Sequence, residues 1–217
     1  MSIKVTINRY ILFILCLFFM GIGVALSKHG VLGDSPISSV ANVVSIKFTF
    51  LSFGNWLTIS NCVLLIGQIL LLRKNFKPIQ LLQIPLSFLF GYFTDFGLYL
   101  AGFIPNDIYV IKLLLVISGI IVLGFGITLG VIANVILNSG EAFVKALSDV
   151  IHKEFSNVKI TFDVSWVAFS IILSLFFFGG ELVGTREGTI LSAIFTGIAV
   201  KLWLKLIKRP IERIICR

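Results

Sequence analysis

The chain has 217 residues, 58% of them hydrophobic and only 13% charged, with a formal net charge of +8. A soluble domain of this length carries roughly twice that charged share, and a mean hydropathy of +1.06 excludes that class. The excess of Lys and Arg does not read as a nucleic-acid face, because long apolar runs separate the basic residues.

About 20 apolar residues in a helix cross ~30 Å of hydrocarbon, and the charge-free runs are of that length. A short basic leader, Met1 to Arg9, precedes a first predicted span from Tyr10 to Ser27. Ala25-Leu26-Ser27 has the small-x-small look of a signal-peptidase site. The run is long for a signal peptide, however, and has a later counterpart that could not be cleaved, so it reads as a span. Gly30 to Pro36 breaks the apolar pattern. Pro36 to Phe50 follows, too polar for a lipid-facing span and predicted to lie at the interface or dip into the protein.

The second span is predicted at Phe53 to Leu72, ended by the basic turn Arg73-Lys74-Asn75-Phe76-Lys77-Pro78, and the third at Ile79 to Ala101. Gly102 to Asp107 is punctuated like a linker. The fourth span, Ile111 to Val135, carries Gly126 and Gly130 at the spacing of a helix-contact face. Asn138-Ser139-Gly140-Glu141 forms a second break. Gly140 to Ser156 is amphipathic and predicted to lie flat on the membrane surface. The fifth span is read at Phe162 to Phe178 and the sixth at Thr189 to Ile207, joined by a Gly-rich loop. A basic tail, 208–217, closes the chain.

The leader, the second and fourth loops, the last span's Lys201 and Lys205, and the tail hold every Lys and Arg except Lys28, Lys47, Lys112 and Arg186. The positive-inside rule then places both termini in the cytoplasm. Each half reads span, Gly-containing break, amphipathic segment, span, turn, span. Gly21, Gly23 and Leu26 match Gly124, Gly126 and Leu129, while Ile84 and Gly91 match Ile190 and Gly197. Three spans per copy is an odd number, so the second copy enters from the other face. The expected fold is an all-α polytopic membrane protein: six transmembrane helices as two inverted three-helix repeats, 10–101 and 108–207, within a single membrane domain.

With the Gly33-Asp34-Ser35-Pro36 break, Gly54-Asn55-Trp56 and Gly91-Tyr92-Phe93-Thr94-Asp95, the chain resembles the YczE-like and YitT-like bacterial membrane proteins over most of its length. The resemblance implies a multi-pass protein of the bacterial cytoplasmic membrane with a duplicated core. The function it implies is poorly defined and often guessed to be transport. Ile37 to Ser39 departs from it in carrying no aromatic or acidic residue after Pro36.

Polar residues at membrane depth or in the breaks are candidates to bind a solute. Asp34 and Ser35 occupy the first break, and Asn138 and Glu141 the second. Asn61, Gln68 and Gln83 bear amides in the second and third spans, Asp95 ends the third, and Glu181 and Arg186 lie in the last loop. For the amides the competing role is gluing helices together, for Asp95 anchoring a helix end, and for the loop charges a solvated ion pair. Cys16, Cys62 and Cys216 show neither pairing logic nor metal-ligand spacing. The topology separates His29 from His152, so no metal or cofactor is expected. No nucleophile-base pair or phosphate-binding loop is evident, and an enzyme is not expected.

The sequence therefore leads to a small-solute transporter or permease, with a solute and the lipid bilayer as partners and a homodimer or protein partner as an option. The competing readings are a substrate-capture subunit of a larger transport complex, and a non-transporting scaffold for biosynthesis or secretion.

Overall fold

The structure is a computed structural model and describes residues 3–215, without the side chains of Ile3, Lys4, Ser156, Ile214 and Ile215. The Lys4 side chain, Cys216 and Arg217, used above for topology or given no role, lie outside the described residues. The chain forms α1 (Ile3–His29), α2 (Pro36–Lys47), α3 (Phe53–Leu72), α4 (Gln83–Ala101), α5 (Tyr109–Ala133), α6 (Ser139–Ile151), α7 (Phe155–Phe177) and α8 (Glu187–Ile215). Short 3-10 turns at Arg73–Asn75 and Pro78–Leu82 join α3 to α4. Among the described residues, six helices, all but α2 and α6, are long and apolar enough to cross a membrane. The protein is an all-α, multi-pass membrane-type bundle.

Local chemistry sets the ends of the two short helices. Ser35 stands at the N-cap of α2 with Pro36 in the first turn, where a missing N–H costs nothing. Asn138 caps α6, its side chain accepting from the Ser139 N–H at 2.9 Å. Asn134 and His152 adopt left-handed conformations that stop α5 and α6.

The core is the crossing of α1 and α5, which run antiparallel. Lipid gives helices little hydrophobic reason to associate, so close packing of small residues takes that part. A Cβ on Gly23 would stand 2.5 Å from the Leu123 nitrogen and 2.8 Å from the Gly119 oxygen. A Cβ on Gly126 would stand 2.6 Å from the Met20 nitrogen and 3.0 Å from the Cys16 oxygen. The interval that carries Gly23 to Gly126 also carries Met20 to Leu123 and Cys16 to Gly119, so each contact is the counterpart of the other. Gly130 meets Cys16 in the same seam, as a helix-contact face requires.

The outer helices repeat this correspondence with one exception. α4 packs on α1 where Gly21 meets the Thr94 backbone, and α8 packs on α5 where Gly124 meets the Val200 backbone. α2 packs on α7, and α6 on α3. α3 and α4 are in close contact through Gly54 and Gly91, but α7 and α8 do not pack along one another.

Two expectations need correction. α6 does not lie flat on a surface: it packs along α3, with Gly67 against the Phe143 ring, and abuts α2 where Gly140 faces Ile37. Ser139, Gly140, Ala142, Val144, Ala146 and Ser148 form its buried face. Small residues let that face sit between helices, whereas Lys145 and Asp149 pair with each other on the exposed one. The fifth long helix begins earlier than its apolar run, at Phe155, and so contains Lys159, which was assigned to a loop. Asp163 one turn later neutralises Lys159 and lets the charge enter the helix.

Candidate functional site

The two short helices point their N-termini at each other from opposite ends of the bundle. α2 lies beside the half of α7 that ends at Phe177. The Trp166 indole, midway along α7, donates to the Ile37 oxygen at 3.0 Å, while the Lys47 ammonium donates to the Phe177 oxygen at 3.0 Å. α6 lies beside the other half of α3, with Ser139 Oγ 3.3 Å from Ser87 Oγ of α4. Ile37 Cδ1 would be 2.8 Å from a Cβ on Gly140, so the two starts meet near mid-bundle.

A cavity of about 480 Å³ opens at this meeting point. It runs between α7 and α8, from Ser192 and Thr196 on α8 to Lys159 and Phe155 near the start of α7. Its wall is mostly apolar, with Phe13, Met20, Val24, Leu57, Phe90 and Leu123 prominent. The polar lining is Ser35, Ser38, Asn61, Asn138, Glu141, Lys159, Asp163, Ser192 and Thr196. Three of these hold buried polar atoms with no partner among the described residues: Asn61 Nδ2, Ser192 Oγ and Thr196 Oγ1. Asn61 is 1% exposed and Ser192 0%, so bulk water does not satisfy them, and an unmet buried donor costs about 1–3 kcal/mol.

The charges are unevenly matched. Lys159 Nζ lies 2.6 Å from both Asp163 oxygens. Glu141, at the third position of α6, forms no direct ion pair among the described residues and feels Lys159 and Asp163 only at longer range. Burial pushes its carboxyl up from the usual range, with Lys159 opposing and Asp163 adding to the rise.

Of the residues singled out from sequence, Ser35, Asn61, Asn138 and Glu141 line the cavity. Asp34 is fully buried just outside it. Its Oδ1 accepts from the Ser35 N–H at 2.7 Å, its own N–H donates to Thr189 Oγ1 at 3.2 Å, and Oδ2 meets the hydrogen-bond geometry with none of the described residues. Desolvation pushes its carboxyl up to about 6, against the Ser35 hydrogen bond and the Lys28 charge. Gln83 Nε2 donates to Gln68 Oε1 at 3.2 Å, a bridge between α4 and α3. Asp95 Oδ1 accepts from the Gly54 N–H at 2.7 Å, placing a carboxylate at the N-terminus of α3. Arg186 and Glu187 form an exposed pair. The Glu181 oxygen accepts from Ser174, while Gly184 and Thr185 fold back onto α2 and α7 by bonds to Asn42 and Ser170.

Sequence reading missed Ser38, Lys159, Asp163, Ser192 and Thr196 as lining residues. An i, i+4 charge pair at the head of an apolar run is a usable signal for Lys159 and Asp163. Isolated hydroxyls in a span carry none. Among the described residues, no three His, Cys, Asp or Glu side chains gather as a metal set.

A family described as a family of unknown function, DUF6198, matches residues 7–205. The chain belongs to that family. The match spans both halves of the bundle and every cavity-lining residue. No curated protein and no solved structure matches.

Proposed function

We propose that this protein is a small-solute transporter of the bacterial cytoplasmic membrane, working by exchange of conformation between two inverted halves. The observation that carries the reading is the cavity: it forms where two half-length helices meet, and it holds buried polar atoms that no described residue satisfies. Broken helices meeting at mid-depth are a recurrent way to build a solute site in repeat transporters.

The single departure from correspondence supports the exchange. In the conformation described, α3 and α4 are closed at Gly54 and Gly91, whereas α7 and α8 are apart and Gly197, the match of Gly91, faces open space. Swapping the two arrangements closes α7 on α8, parts α3 from α4, and moves the opening of the cavity to the other end. With the termini in the cytoplasm, as the basic residues favour, the present opening faces inward. The same reading keeps the family near the YczE-like and YitT-like proteins, leaves the chain without enzymatic or nucleic-acid roles, and allows a homodimer.

The test is paired disulfide trapping in a background without Cys16, Cys62 and Cys216. Thr58→Cys with Ser87→Cys reports α3 against α4, and Ile160→Cys with Gly197→Cys reports α7 against α8. Conditions that raise one cross-link should lower the other. Two yields that never vary together would leave the repeat purely architectural and direct attention to a scaffold role. Stable co-purification with an ATPase subunit would instead favour a substrate-capture component.

A further inference from the structure

The chemistry of the cavity narrows the solute. The first-turn N–H groups of a helix have no intrahelical acceptor, and each helix start carries about half a positive charge. α2 and α6 bring two such starts to one place, although Pro36 has no N–H, Asn138 Oδ1 takes the Ser139 N–H and the Asp34 carboxyl sits on the Ser35 N–H at the head of α2, so that a fraction of one positive charge remains. Asn61 Nδ2 and Ser192 Oγ supply buried donors without acceptors at the same wall. Lys159 is already neutralised by Asp163. The remaining titratable group in the lining is Glu141, in the first turn of α6, where a carboxylate would offset the helix starts.

We propose that the cavity binds a small organic monoanion, a carboxylate with an apolar body, and that one proton from solution is taken up by Glu141 as the anion binds. The ligand carboxylate takes over the compensation of the α2 and α6 starts, and Asn61 Nδ2 and Ser192 Oγ, sealed from water in the conformation described, turn into the cavity to donate to it as it binds. Two carboxylates in one desolvated site cannot both remain ionised, so the proton settles on Glu141 and the site's total charge is unchanged. The apolar body lies against Phe13, Leu57, Phe90 and Leu123. An amine ligand would instead leave positive helix starts facing a positive group.

Around the same cavity stand Lys159 and Asp163 of α7, Cys16 of α1, Asn61 of α3, Ser35 and Ser38 of α2, and Ser192 and Thr196 of α8, with the Asp34 carboxyl just outside it. On α6 itself Lys145 and Asp149 pair with each other. None of them supplies a free cation to a second anion, which is why the proton is required.

The proposal names the solute class for the transport reading and depends on that reading only for movement across the membrane. The experiment is calorimetric titration of the purified full chain with butyrate and benzoate, beside their amides and the corresponding amines, in two buffers of different ionisation heat. At least one carboxylate is expected to bind about tenfold or more tighter than its amide and amine, with one proton taken up. Its affinity should fall about tenfold per pH unit above the folded pKa of Glu141. Glu141→Gln should bind it with no proton uptake and a flat pH profile. Asn61→Leu should weaken binding at least tenfold, with Ser192→Ala as the milder change if melting curves show that variant unfolded.

If neither carboxylate outbinds its amide and amine, the proposal is overturned. An amine that binds tightest and is lost in Glu141→Gln would make the site cationic in preference and overturn it equally. Carboxylate binding without the reciprocal cross-linking described above would sink transport and spare the ligand class. Reciprocal cross-linking without carboxylate preference would do the reverse.

Discussion

Alanine at Gly91 and alanine at Gly197 are the same change at matched positions of α4 and α8, and their effects are expected to differ in sign. A Cβ on Gly91 would stand 2.5 Å from the Gly54 oxygen and 3.0 Å from its carbonyl carbon, and would also press on Thr58 Oγ1. Those atoms cannot swing aside: two are backbone, and the hydroxyl is bonded to the Gly54 oxygen at 2.8 Å and the Ser87 oxygen at 3.1 Å. Overpacking of this kind costs about 1–3 kcal/mol. At Gly197 a Cβ meets nothing within 4 Å, so the substitution keeps only the gain of alanine over glycine in a helix, up to about 1 kcal/mol. The helix gain is common to both positions, so the two variants should lie roughly 1–3 kcal/mol apart. At about 2–4 °C per kcal/mol for a chain of this size, that is a melting difference of roughly 2–12 °C. Thermal unfolding of both in one detergent reads it. If Gly197→Ala melted as low as Gly91→Ala, then α7 and α8 would be packed like α3 and α4, and the asymmetry that supports exchange would be gone.

Three further outcomes follow from individual contacts. Asp34 is ordinarily acidic when unfolded and titrates at about 6 when buried, so the folded state binds the proton more tightly. Its contribution is present below about pH 4 and is lost as pH rises through about 6, by up to ~3 kcal/mol. The upward shift of Glu141 acts in the same direction. Melting of wild type and Asp34→Asn between about pH 4.5 and 7 should show a smaller decline in the variant, and parallel curves would refute the assignment. Asp95→Ala removes the carboxylate from the start of α3 and should cost ~1 kcal/mol, with Asp95→Asn costing less; equal melting of all three would deny the cap its role. Gln68→Leu should lower stability by ~1 kcal/mol through loss of the bridge to Gln83 while leaving cavity ligand affinity unchanged. A fall in affinity without a fall in melting temperature would move Gln68 into the site.

Spans were easy to read because they depend on local apolar runs, and the breaks because Gly, Pro, Asn and Ser punctuate them. α7 was read several residues short because apolar counting stops at a charge, and the pairing that admits Lys159 lies one turn further on. The amphipathic pattern of α6 was visible, but amphipathicity specifies a buried face without saying whether lipid headgroups or α3 cover it. Among the candidate residues, Asp95 and Gln68 show the same limit. A carboxylate or amide in a span must find a partner, yet whether that partner is a solute, a helix start or another amide is a property of neighbours far along the chain.

The sequence by itself determined the class of the molecule, the number and approximate place of its long helices, and the two breaks. These follow from short-range physics: helical rise against bilayer thickness, and backbone punctuation. Only the tertiary structure decided that α2 and α6 meet start to start, that Glu141 shares a cavity with Lys159 and Asp163, and that α3 and α4 are closed while α7 and α8 are apart. Those facts rest on contacts between residues separated by most of a helix or by half the chain. The energy of such contacts depends on close approach of surfaces, which no local pattern encodes.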